Sequence, residues 1–278
     1  MALAEQQHDD AETRAAGSSF YVAMRILPRA QRQAMFEIYS FCREVDDIAD
    51  DPGERSGRRE RLQAWRKDID ALYAGTPPRH LHGLAEAVQQ FGMRKDDFLG
   101  VIDGMEMDVT GDIRAPDDAT LDLYCDRVAS AVGRLSVKVF GMNESDGLSL
   151  AHHLGRALQL SNILRDIDED ASIGRLYLSR DVLKSAGIET SDPDQAINHP
   201  AIGKACALIA VRAREHFRQA NAIMDRTPRA AVRAPRIMGE AYKSILDALE
   251  ARGFTAPREK VKLSKPYLLW ILARYAIV

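Results

Sequence analysis

The stretch Arg43-Glu44-Val45-Asp46-Asp47-Ile48-Ala49-Asp50-Asp51 crowds acidic side chains onto the end of an apolar run. Met35, Ile38, Tyr39, Cys42, Val45 and Ala49 recur at three- and four-residue spacing, one face of an α-helix. Asp46 and Asp50 then lie one turn apart, about 6 Å along the axis and offset by roughly 40°. Like charges so placed repel by about 0.2–0.5 kcal/mol in water, and by more beside an apolar face. A cation is therefore expected between them. A second stretch, Gln159 to Asp170, sets Asn162, Asp166 and Asp170 at i, i+4 and i+8, beside Leu154, Leu158, Ser161 and Arg165. Taken singly, either cluster reads as a solvated acidic helix end. Two of them, each with its own arginine and each inside an apolar helix, point to facing carboxylate walls that hold divalent cations through oxygen. Mg²⁺ in such sites keeps several waters and is completed by substrate phosphates.

These walls lie far apart in the chain, so the fold must bring two distant helices to one cavity. Helical periodicity and turn chemistry predict a short helix from Ser18 or Ser19 to Leu27, ended by Pro28, then helices over about 29–51, 55–74, 79–91 and 94–109. The loop 51–57 follows the first acidic cluster directly and could act as a lid. Glu106 and Asp108 fall near the end of the 94–109 helix with no assigned role. A long helix over about 121–140 buries Leu121, Tyr124, Cys125, Val128, Val132, Leu135 and Val139. Its small patch of Ala129, Ser130, Ala131 and Gly133 allows either close helix packing or room for a ligand. The second acidic cluster sits on a helix over about 146–171, and Ile173–Leu178 reads as a turn and short extended segment. Later helices fall near 179–186, 199–225, 230–252 and 264–276. No alternating strand pattern and no internal repeat is present. The chain reads as an all-α single domain over 17–278, with residues 1–16 a polar, aperiodic tail expected to be disordered.

At 278 residues and 46% hydrophobic, the chain can build a sizeable core. A net charge of −3 offers no basic footprint for nucleic acid. Cys42, Cys125 and Cys206 sit in apolar helical patterns and read as buried thiols in a reducing compartment. No secretory leader and no membrane-length apolar run is seen, so a cytoplasmic protein is expected. The apolar terminal stretch Pro266–Val278 follows Lys260, Lys262 and Lys265. It is either a docked terminal helix or a peripheral contact with the inner face of the membrane, through Trp and Tyr beside Lys.

Ser19-Phe20, Leu27-Pro28 and Tyr39 through Asp50 resemble the first signature of squalene and phytoene synthases. Leu158 through Asp170, with Gly174-Arg175-Leu176-Tyr177-Leu178, resembles the second, and the similarity runs from about residue 17 to 265. Around Cys42–Asp47 and Tyr124–Ala129 the likeness is to members that form presqualene diphosphate in bacterial hopanoid biosynthesis. The resemblance implies a class I terpenoid synthase bundle around a central cavity. It implies head-to-head condensation of two farnesyl diphosphates, loss of one diphosphate, two or three Mg²⁺ ions and no NADPH. It assigns Asp46, Asp50, Asn162, Asp166 and Asp170 to metal. Arg43, Arg165 and Tyr177 go to diphosphate, with Ser19 and Lys260 as looser matches. Val128, Ala129, Val132, Gly133, Leu158, Gln159 and Leu164 become candidate walls of the prenyl cavity, with plain core packing the alternative for each. One departure stands out. Many relatives carry Tyr-Cys-x-Tyr-Val-Ala-Gly where this chain has Arg127 at the second aromatic. Arg127 is expected to contact a diphosphate and to favour stopping at presqualene diphosphate, which squalene-forming enzymes downstream would consume. The absence of a nicotinamide fingerprint and of a membrane tail fits an enzyme that stops before reduction. Squalene, dehydrosqualene or phytoene synthesis are the near alternatives, decided by cavity depth. A silent helical assembly protein would be expected to lose its carboxylates, and a terpene cyclase to lack the arginine-rich second signature.

Overall fold

A computed structural model describes residues 21–111 and 113–276. The expected tail 1–16, the start of the first helix and Ser19 lie outside the described residues. Among those described, the chain is helical, with α1 Tyr21–Arg25, α2 Arg29–Asp50, α3 Arg55–Tyr73, α4 His82–Phe91 and α5 Lys95–Thr110. There follow α6 Asp118–Cys125, a π-helical turn Asp126–Ser130, α7 Ala131–Val139, α8 Glu144–Arg165 and α9 Ile167–Ser172. The last are α10 Arg180–Ser185, α11 Pro193–Ile197, α12 Ile202–Arg226, α13 Arg229–Arg252 and α14 Lys265–Ala276.

The first acidic cluster ends α2 because Asp51 precedes Pro52, and a residue before proline is pushed out of the helical region; Asp51 takes ψ 131°. Upstream, Met35, Ile38, Val45 and Ala49 of the predicted stripe are buried, joined by Phe41 and Ile48, whereas Tyr39 and Cys42 face a cavity. α8 is the central helix, packed against α7, α12 and α13. Asn143 caps its start, accepting from the Asp146 backbone N–H at 2.9 Å.

Three departures from the sequence reading bear on the site. The helix expected over 121–140 is interrupted: the Ala131 N–H reaches back five residues to the Asp126 carbonyl, closing a wide turn. The 146–171 helix breaks at Asp166, where φ is −101° and ψ 13°, so Asp166 sits in the bend, with Asn162 before it and Asp170 after it. An additional helix, α11, is set by Asp192, which accepts from the Gln195 N–H at 2.9 Å, and by Pro193 at the first helical position. The extended segment after α9 does form. Leu176 pairs with the loop after α5, donating to the Ile113 carbonyl at 2.7 Å and accepting from the Ala115 N–H at 2.9 Å.

The small-residue patch settles both ways. Ala131 is buried toward Gly100 of α5, while Ser130 is buried where the wide turn leading into α7 meets α8. There a Cβ on Gly155 would sit 2.8 Å from the Ser130 backbone, so the two helices touch through their main chains. Ala129 and Gly133 line a cavity, and Gly133 also packs on α8, where an added Cβ would sit 3.0 Å from the Ala151 Cα.

Candidate active site

The end of α2 and the α8–α9 bend face each other across one cavity of about 460 Å³. Asp46 and Asp50 stand on one side, and Asn162, Asp166 and Asp170 on the other. Both acidic walls read from the sequence therefore share a pocket. Three arginines line it too. Arg43 pairs with Asp46 at 3.1 Å and Asp47 at 3.0 Å on the exposed rim. Arg165 grips Asp166 through two bonds of 2.8 and 2.6 Å and lies 6.0 Å from the Tyr242 ring. Arg175 joins the walls. Its backbone N–H donates to the Asp170 carbonyl at 2.9 Å, while its guanidinium donates to Asp50 at 2.8 Å and the Ala49 carbonyl at 3.1 Å.

Beneath these groups sits Asp108, buried on α5. Its two oxygens accept from the Tyr177 hydroxyl at 2.7 Å and the Tyr124 hydroxyl at 3.1 Å, and the two rings stack at 4.8 Å. Burial pushes the Asp108 carboxyl up, partly opposed by Arg175. Burial, then the neighbouring Asp50, raises Asp46 to about 6. Burial, then Asp166, raises Asp170 to about 8. The cavity thus holds more negative charge than its arginines offset. A further polar atom is unsatisfied: the Asn162 Oδ1 is buried without a hydrogen-bond partner. Carboxylate and amide oxygens are the ligands that hard divalent cations such as Mg²⁺ take, so the donor set fits such an ion.

A second, apolar lobe of about 240 Å³ shares Tyr39, Cys42, Val128, Gln159 and Asn162 with the acidic one. Val128, Ala129, Val132, Gly133, Leu158 and Gln159 line it as expected, with Met24, Ile38, Phe140 and Leu154 completing the walls. Leu164 does not: two residues from Asn162 turn it about 200° around α8, into the core. Arg127 lines neither lobe. In the wide turn Val128 faces both lobes, and Arg127 turns toward α5, half-buried beside Gly104 and 3.6 Å from Asp103. Lys260 also lies outside the cavity, paired with Glu169. Tyr177 lines the acidic lobe with its hydroxyl committed to Asp108.

Sequence reasoning assigned no role to Arg175, Tyr242 or Asp108. Asp108 carried a signal, since Val101, Met105 and Asp108 fall at i, i+4 and i+7 and all three line the cavity.

A family model described as squalene/phytoene synthase matches residues 13–267. The chain is 60% identical over 264 residues to a presqualene diphosphate synthase of Rhodopseudomonas palustris, covering 95% of each chain. It is 58% identical over 271 residues to a presqualene diphosphate synthase of Sinorhizobium fredii, covering 98% of this chain and 97% of that one. In three dimensions it is similar to a dehydrosqualene synthase crystallised with a ligand: TM-score 0.85, 22% identity, covering 98% of this chain and 96% of that one. That likeness is one of all-helical fold.

Proposed function

We propose a reaction from one premise: the chain belongs to the squalene/phytoene synthase family. The reaction is head-to-head condensation of two farnesyl diphosphates to presqualene diphosphate, without a reductant. The observation that carries it is the meeting of two acidic walls at a cavity that opens into an apolar lobe. The diphosphates take the acidic lobe and the prenyl chains the apolar one.

Asp46, Asp50, Asn162, Asp166 and Asp170 would hold Mg²⁺, two or three ions by the number of oxygens available. Mg²⁺ bound there neutralises diphosphate oxygens and so favours cleavage of the allylic C–O bond. Arg43, Arg165 and Arg175 line the same lobe as donors to a leaving diphosphate. The allylic carbon then bonds to the double bond of the second substrate, a cyclopropane closes, and the proton released leaves with the free diphosphate. Val128, Ala129, Val132 and Leu158 keep water from the cation, which water would trap. The second diphosphate stays on the product, so the consuming enzyme must ionise it and supply hydride.

Among the described residues no helix is long and apolar enough to cross a membrane. α14 exposes Leu269 and Trp270, 65% and 50% open, with Arg274 stacked 5.3 Å from Trp270. Peripheral contact with an anionic bilayer through this face fits substrates and product that are themselves lipids. Flotation with anionic vesicles tests it, and retention by Trp270→Ser equal to that of the parent speaks against it.

The reaction is tested by incubating the chain with farnesyl diphosphate and Mg²⁺, with and without NADPH. A C30 diphosphate in both reactions supports the reading. Squalene formed only with NADPH, or no C30 product, overturns it.

A further inference from the structure

Where α8 packs on α12, His152 and His153 of the first helix meet His216 of the second. One ring nitrogen from each lies within 4.8 Å of the other two. His153 Nδ1 stands 3.1 Å from His216 Nδ1. The rings contact one another with centroids 4.7, 5.9 and 5.3 Å apart. None of the three lines either lobe of the cavity, so the reaction proposed above leaves them without a task. His152 is exposed and the others half-buried, so an ion can reach them from solvent.

The approach of the two Nδ1 atoms constrains their protonation. Two imidazolium rings would aim N–H against N–H, so at least one nitrogen presents a lone pair. Two imidazole nitrogens on one tetrahedral Zn²⁺, each bonded at about 2.05 Å, stand about 3.3 Å apart. The His153–His216 separation is already close to that spacing. His152 completes a three-nitrogen set by rotating its exposed side chain. Burial, and after it Arg156 at His152 and His153, keeps the rings neutral, the form that offers a lone pair to a metal. Asp122 and Asp126 act on His152, Asp122 on His216 and Glu215 on His153. Arg156 opposes, but Asp122 grips it at 2.7 and 2.9 Å and Asp126 at 3.3 Å, which offsets its charge. Asp126 and Glu215 are themselves partly offset by Arg134 and Arg218.

We infer that His152, His153 and His216 form a binding site for a divalent transition cation of the Zn²⁺ class, with water as fourth ligand, that ties α8 to α12. Imidazole nitrogen suits Zn²⁺, Co²⁺, Ni²⁺ or Cu²⁺, whereas the all-oxygen acidic lobe suits Mg²⁺. The two sites therefore select different ions. His153 and Asn162 share α8, nine residues or about 13 Å apart, so a metal tie here steadies the helix that carries half of the acidic cavity.

The experiment uses the full chain, freed of metal with a chelator, returned to saturating Mg²⁺ to fill the oxygen site, then titrated with Co²⁺. Expected is one Co²⁺ per chain, with the visible absorption of nitrogen-ligated Co²⁺, displaced by Zn²⁺. His153→Ala and His216→Gln should each weaken binding by more than about tenfold, while Asp46→Asn leaves it intact. His216→Gln keeps a hydrogen-bonding side chain, which separates ligand loss from misfolding, and its circular dichroism should match the parent. Co²⁺ binding that is unchanged in both histidine variants, or no Co²⁺ retained in excess Mg²⁺, overturns the inference and leaves a hydrogen-bonded histidine pair only.

Discussion

Arg175→Gln removes the cation that links the two acidic walls. Its guanidinium is 10% exposed and makes charged bonds to Asp50 and the Ala49 carbonyl. Breaking a fully buried ion pair costs about 3–5 kcal/mol because a charge is stranded. Asp50 is 52% exposed and can turn to water, so the loss here should be nearer 2 kcal/mol. A chain of this size loses roughly 2–4 °C of melting temperature per kcal/mol, which puts the deficit at about 4–8 °C. That deficit should depend on metal. In chelator, Arg175 also offsets Asp108 and Asp170, both of which feel its charge. With saturating Mg²⁺, the proposed metal should take over the neutralisation of Asp50 and Asp170, and the gap between variant and parent should narrow. Calorimetry of both proteins with and without Mg²⁺ measures this directly. An equal deficit in both conditions would mean that Arg175 acts as a steric strut, and the electrostatic account of the cavity would be wrong.

The stability of the metal-free protein should fall as pH rises from about 6.5 to about 8; below that window His152, His153 and His216, whose pKa values burial holds under the ordinary 6.5, act in the opposite direction. Asp170 holds a folded pKa of about 8, above the ordinary 3.8, so the folded state keeps its extra proton across that window, while Asp46, at about 6, contributes only below it. Asp170→Asn should flatten the slope of melting temperature against pH and abolish turnover; an unchanged slope would count against the assigned burial of charge. Gly155→Ala places a Cβ 2.8 Å from the Ser130 main chain and should cost about 1–3 kcal/mol by overpacking, read in thermal melts. A neutral Gly155→Ala would mean the helices can part freely. Ala129→Phe should fill much of the 240 Å³ apolar lobe and cut product formation while leaving the Mg²⁺-dependent rise in melting temperature intact. Normal turnover in that variant would place the prenyl chain elsewhere.

The acidic walls were legible because helical register is a local property: Asp46 with Asp50, and Asn162 with Asp166, follow from spacing alone, and the all-helical class follows from the same periodicity. The apolar lobe was legible for the same reason at Val128, Val132 and Leu158. Arg127 was misread because the extra residue in the turn at Asp126–Ser130 carries no glycine or proline to announce it. The widened turn decides which of two adjacent side chains faces inward. Leu164 takes the core-packing alternative, as its helical angle from Asn162 requires. Asp108 and Arg175 gain their roles only through partners far along the chain, Tyr177 for one and Asp50 for the other. No local pattern encodes those meetings.

The main-chain contact between Gly155 and Ser130 leaves one flank of the greasy compartment with nothing to give. Met24, Met35 and Met238 line the same compartment and are better placed to make room for a longer isoprenoid. Unbranched thioether side chains repack at little cost. Substitutions that shorten these methionines on α1, α2 and α13 should therefore lengthen the accepted chain more readily than changes where the two backbones meet.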